Sequence, residues 1–117
     1  MRKKTLILLI LSTFLNAEEF ISKQDYAKLL YTNPRGISCA KCHGFRGESR
    51  VIATYSTYNK TTKQLDQHKL IAPAINTIGF EEFKAVFNSP RKFMPTYFLT
   101  EGEIEALYEY VSRFSKN

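Results

Sequence analysis

Cys39-Ala40-Lys41-Cys42-His43-Gly44 concentrates more chemistry than any other stretch of this chain, and its reading decides what the remainder has to build. Two thiols three positions apart, followed at once by a histidine, form the pattern of a covalent haem attachment site. Each thiol can add across a vinyl group, and the imidazole then lies beneath the iron with little freedom to reach anything else. Three other readings compete. A dithiol redox pair wants a strand before the motif and a βαβ context after it, and neither is apparent. A zinc site wants a second pair of ligands, whereas these are the only cysteines and His68 is the only other histidine. A short disulfide in an exported chain is the third.

Working outward, the chain of 117 residues has room for one domain, and its first part does not belong to that domain. Met1–Ala17 has the layout of a cleaved secretory signal peptide: Arg2, Lys3 and Lys4, then an apolar run from Thr5 to Leu15, then Leu15-Asn16-Ala17 with a small residue at the cut. The run is shorter than the roughly 20 residues that span a bilayer, so the expectation is export to the periplasm without stable membrane insertion. Residues 18–117 form the single mature domain. The leader carries three bases and no acid, so its removal lowers the formal charge from +6 to +3. The remaining bases are spread along the chain, which excludes a nucleic-acid binder of the usual kind. A core of this size with no tryptophan is modest, and a buried porphyrin would fill much of it.

Periodicity places the elements around the motif. A first helix is expected from Glu18 to Tyr31, with Ser22 as N-cap, Asp25 as its box partner, and Tyr26, Leu29 and Leu30 on the inward face. Asn33-Pro34-Arg35-Gly36 stops it. Phe45-Arg46-Gly47-Glu48 reads as a loop. Arg50–Tyr58 has the alternation and β-branched composition of a strand, Asn59-Lys60-Thr61-Thr62 is a turn, and Lys63–Ile71 can return as a second strand; a solvated loop is the alternative. Phe80–Phe87 reads as a helix with Phe80, Phe83, Val86 and Phe87 inward. The last helix is capped by Thr100 and Glu103 and carries Ile104, Leu107, Tyr108, Val111 and Phe114 as its stripe.

Met94 is the one methionine left after the leader. It sits between Phe93 and Pro95, outside any apolar stripe and just before the final helix, where a loop can be laid across the far face of a haem. Core filler is the competing reading. His68, flanked by Gln67 and Lys69, is the rival ligand and reads as a surface residue; a lysine, or a five-coordinate iron open to peroxide or small gases, remains the other option.

The ordered set of a helix ending in Leu29-Leu30-Tyr31, the Cys39–Gly44 motif, Ala72-Pro73-Ala74-Ile75, Met94-Pro95 and a tyrosine-rich final helix resembles the small single-haem class I bacterial cytochromes c. The resemblance implies a mainly α fold, three to four helices around one covalently bound haem c and its iron, with the first and last helices crossing closely. It implies thioethers at Cys39 and Cys42, axial ligation by His43 and Met94, and a carbonyl contact from Pro73 to the outer nitrogen of His43. Two features depart from it: Thr32–Ser38 lengthens the approach to the motif, and Pro73 follows His43 by 30 positions, the extra length being Arg50–Ile71, which suggests a small β-hairpin insertion at about 50–71. The implied function is not enzymatic. A periplasmic carrier would pass one electron between larger respiratory redox proteins (an oxidase, reductase or peroxidase) through its exposed haem edge, with Lys41, Lys60, Lys63 and Lys92 as a basic rim. A haem-binding accessory or sensor subunit is the alternative, and a small peroxidase a weaker one.

Overall fold

The computed structural model describes residues 21–89 and 91–115, so the leader read at Met1–Ala17 lies outside the described residues. Within them the order is α1 (Lys23–Thr32), α2 (Cys39–His43), β1 (Arg50–Asn59), β2 (Gln64–Ala72), α3 (Phe80–Asn88) and α4 (Glu101–Ser112). The architecture is therefore four helices plus one antiparallel two-stranded sheet.

Both long helices begin where side chains satisfy their free amides. Ser22 Oγ accepts from the Asp25 amide (3.1 Å) and donates to the Asp25 carboxylate (2.8 Å), so α1 opens at Lys23 rather than at the Glu18 expected from sequence. At α4 the box is complete: Thr100 Oγ1 accepts from the Glu103 amide (3.2 Å), and the Glu103 carboxylate accepts from the Thr100 amide (2.8 Å). Helix α1 ends at Thr32 because Asn33, held out of the helical region before Pro34 at φ −144° and ψ 79°, cannot continue it.

The core is the crossing of α1 on α4. Ala27, Leu30 and Tyr31 meet Ile104, Leu107, Tyr110 and Val111, with Ala40 and Phe83 completing the cluster. This corrects the inward faces read from periodicity. Tyr26 and Leu29 are exposed, and the buried stripe is rotated to Ala27, Leu30 and Tyr31. On α4, Tyr110 is buried, whereas Tyr108 and Phe114 are only partly so. The reason is polar. The Tyr31 hydroxyl donates to the Gly44 carbonyl (2.6 Å) and the Tyr110 hydroxyl to the Phe45 carbonyl (2.8 Å), and the two rings lie 4.8 Å apart. Turning these rings inward therefore satisfies the backbone leaving the motif as well as burying aromatic area.

The same loop is fastened at Gly47, whose carbonyl accepts from the Ile75 and Asn76 amides at 2.8 and 3.3 Å. Gly47 has φ +68°, and a Cβ there would stand 2.9 Å from Ile75 Cγ1. On the outside, Arg35 grips Glu103 with both terminal nitrogens (2.9 and 2.8 Å) and the Phe98 carbonyl (2.9 Å), tying the loop after α1 to the cap of α4.

Residues 50–72 form a hairpin, not a loop. Arg50 pairs with Ala72 and Asn59 with Gln64, with a bulge between Val51 and Ala53. Its turn is built by Asn59: the side-chain oxygen accepts from the Thr61 and Thr62 amides (2.9 and 3.2 Å), its carbonyl accepts from the Lys63 amide (2.8 Å), and Lys63 reverses the chain at φ +56°. Only Ala72 at the base is buried.

Replacing Gly47 by Ala should destabilise the protein by about 1–3 kcal/mol in denaturant unfolding, because the positive φ and the Ile75 contact both resist a methyl group. The Arg35 guanidinium, and then the Thr100 amide, hold the Glu103 carboxyl below its ordinary value of 4.5. A depressed folded-state pKa stabilises above the unfolded value and is lost as pH falls through the folded one. Thermal stability should therefore decline below about pH 4.5, and Glu103→Gln should lower it at neutral pH while flattening that decline.

Candidate functional site

The motif forms the single turn α2, and this local geometry is decisive. At positions i, i+3 and i+4, Cys39, Cys42 and His43 share one face, while Ala40 turns into the core and Lys41 to solvent. Their common face lines a cavity of about 400 Å³, within the 300–1,000 Å³ usual for small-molecule and cofactor sites. Ile75, Ile78, Phe83, Val86 and Phe87 supply apolar lining, Tyr31 and Leu107 come from the helix pair, and Ile52, Leu70 and Ile71 come from the base of the hairpin. Phe93, Met94, Pro95 and Tyr97 line it from the irregular segment between α3 and α4. Cys39, Cys42, His43, Pro73 and Met94 are thus brought to one site.

His43 is buried, and its Nδ1 lies 2.8 Å from the Pro73 carbonyl. A carbonyl can only accept, so Nδ1 carries the proton and Nε2 is left with a lone pair, which is the form of imidazole that binds a metal. The segment bearing Pro73 is itself held. Ser49 Oγ donates to the Ala72 carbonyl (2.6 Å), and the Ser49 amide donates to the His43 carbonyl (3.3 Å). Ser49 makes both bonds at φ +110°, a strained conformation for a residue with a side chain.

The Cys39 thiol does not suit redox exchange. Burial above all pushes the Cys39 thiol up to about 11, with the neighbouring Cys42 adding to the rise, whereas a dithiol oxidoreductase needs a lowered value. Tyr97 donates its hydroxyl to the Ile37 carbonyl (2.6 Å), tying the Met94 segment to the approach to the motif, and burial raises its phenol to about 12. No sequence signal foretold Tyr97, Ser49 or Arg35, since each acts across a long separation in a non-periodic stretch.

His68 remains on the hairpin, stacked on Tyr55 at 5.1 Å and 2.7 Å from the Thr57 hydroxyl, and does not line the cavity. The four lysines read as a rim separate into two places. Lys92 lines the cavity and Lys41 is exposed on α2, but Lys60 and Lys63 lie at the turn of the hairpin, roughly 25 Å of extended strand from its base. Among the described residues no group of three or more His, Cys, Asp or Glu side chains could hold a bare metal ion.

Two thiols and an imidazole on one face of a turn, over an apolar cavity held by crossed helices, fit a covalently attached haem. The cytochrome c family model matches residues 24–115, from α1 to beyond the end of α4, and the chain belongs to that family. Membership brings covalently attached haem c with its iron, and haem-based electron transfer as the general activity. No curated protein and no solved structure matches the chain.

Removing the Ser49 hydroxyl should loosen the Ala72–Pro73 backbone without emptying the core. Ser49→Ala is expected to exchange the His43 Nδ1 proton about tenfold faster, read by proton NMR of the reduced protein, with the fold retained.

Proposed function

We propose that this protein is an exported cytochrome c that carries one electron between larger redox proteins of a respiratory chain, and that residues 18–117 are its single mature domain. Cys39 and Cys42 would hold the haem through their sulfurs, and His43 Nε2 and Met94 Sδ would ligate its iron. The observation that carries the reading is the convergence of these four side chains on one apolar cavity, with His43 already oriented by Pro73.

Haem supplies an iron that changes valence by one electron. The chain's own residues do the rest. The Pro73 carbonyl holds the His43 ring in orientation, and the Met94 thioether would be the second protein ligand, of a type that favours ferrous iron. Ile75, Ile78, Phe83 and Phe87 make the cavity apolar, which would exclude water from a bound haem and keep the cost of changing its charge low. The leader layout of Met1–Ala17 supports a periplasmic location, and among the described residues no helix is long and apolar enough to cross a membrane. The hairpin supports a second reading, an accessory or sensor subunit of a larger redox complex, because a freely diffusing carrier does not require it.

Spectra of the purified holoprotein test the ligand set. A ferric charge-transfer band characteristic of Met ligation is expected in wild type and should vanish in Met94→Ala, while the haem still resists acid-acetone extraction. The Cys39→Ala, Cys42→Ala double variant should release its haem to that extraction. A high-spin wild-type haem that binds carbon monoxide would overturn Met94 ligation and favour the peroxidase or sensor readings.

A further inference from the structure

The hairpin is the part of the molecule that the haem site does not account for. Its base lines the cavity through Ile52, Leu70 and Ile71, yet beyond that base both faces are open to solvent and both outer edges are without a strand partner among the described residues. An isolated two-stranded hairpin is only marginally stable in water, and one this long is usually completed by a further surface. Large side chains wait on it: Tyr58 and Leu65 are direct cross-strand partners, 60% and 65% exposed, and Tyr55 is 51% exposed.

Charge identifies what would complete it. From Arg50 to Ala72 the chain carries Arg50, Lys60, Lys63 and Lys69 against Asp66 alone, a net +3, and Asp66 is occupied by the Asn59 amide at 2.9 Å. The other described residues carry 9 bases and 8 acids, a net of +1, before any haem propionate is counted. The excess positive charge of the mature chain is thus placed almost entirely on the hairpin. A second copy would bring a like-charged hairpin against it, which Coulomb repulsion disfavours. Lysines beside exposed tyrosines, on strands with free edges, fit an acidic protein surface that offers a strand edge of its own.

We propose that the β1–β2 hairpin is a docking arm for an acidic protein partner, engaged through Lys60, Lys63, Lys69, Tyr58 and Leu65 and separate from the haem edge. The proposal deepens the electron-carrier reading and rests on it for the arm's purpose, since an arm held at one end by the cavity wall would hold the partner beside the haem.

The test uses 15N-labelled ferrous holoprotein and a synthetic peptide of alternating glutamate and valine as an acidic strand-forming probe. Amide shifts should concentrate in residues 50–72, and Lys60→Glu, Lys63→Glu, Lys69→Glu combined should weaken binding about tenfold or more. Lys23→Glu, Lys28→Glu, Arg113→Glu combined, an equal change in net charge away from the arm, should weaken it by less than about twofold. Equal losses in the two triple variants, or shifts centred on Lys41 and Lys92, would overturn the proposal. So would arm shifts produced by phosphatidylglycerol vesicles but not by the peptide, or by raising the protein concentration alone. Binding is read separately from the haem spectrum, so a failed arm and a failed ligand assignment are distinguishable.

Discussion

The hydrogen bond from His43 Nδ1 to the Pro73 carbonyl, 2.8 Å long and part-buried at the cavity wall, is the constraint on which the rest of the structure turns. It fixes the tautomer of the one buried histidine and closes a loop of 30 residues that contains the whole hairpin. Closing so long a loop costs chain entropy, although the cost grows only slowly with length, and the chain offsets it with a cluster of short bonds at the loop's neck. Ser49 to Ala72, Gly47 to Ile75 and Asn76, and Asn76 to Arg46 and Phe114 all lie there. An insertion can therefore grow outward without disturbing the histidine.

The helix crossing serves the same end. Tyr31 and Tyr110 bury their rings in the α1–α4 interface and spend their hydroxyls on the two carbonyls that leave the motif, so core packing and ligand placement are one set of contacts. The fully buried core is small, and many of the larger apolar side chains that surround it face the cavity as half-buried residues. A macrocycle in that cavity would add the missing apolar contact, which makes the cofactor of this family part of the core as well as the redox centre.

Much of this was legible along the chain. The helix caps at Ser22 and Thr100, the stop at Asn33-Pro34, the turn at Asn59 and the strand alternation after Arg50 are local effects, each decided within a few residues. The motif was legible for the same reason: three reactive side chains at helical spacing need only one turn to face together. Less legible were the helix faces. Periodicity marks a stripe of apolar residues but not which neighbour it meets, and hydrogen bonds from tyrosine hydroxyls rotated α1 toward Tyr31 and selected Tyr110 over Tyr108 on α4. The lysines read as one rim proved to lie in two places, Lys41 and Lys92 on α2 and the cavity lining and Lys60 and Lys63 at the hairpin turn, because order along the chain carries no distance.

By itself the sequence determined the chemistry: which residues can bond to a haem, which segment can lie opposite them, and where the caps and turns fall. Those follow from side-chain type and short-range backbone sterics, which act without reference to the fold. Tertiary structure alone decided that strained Ser49 and distant Tyr97 brace the site, and that the hairpin carrying the positive charge stands exposed. These depend on contacts between residues tens of positions apart, which exist only once the helices have crossed and the loop's neck has closed.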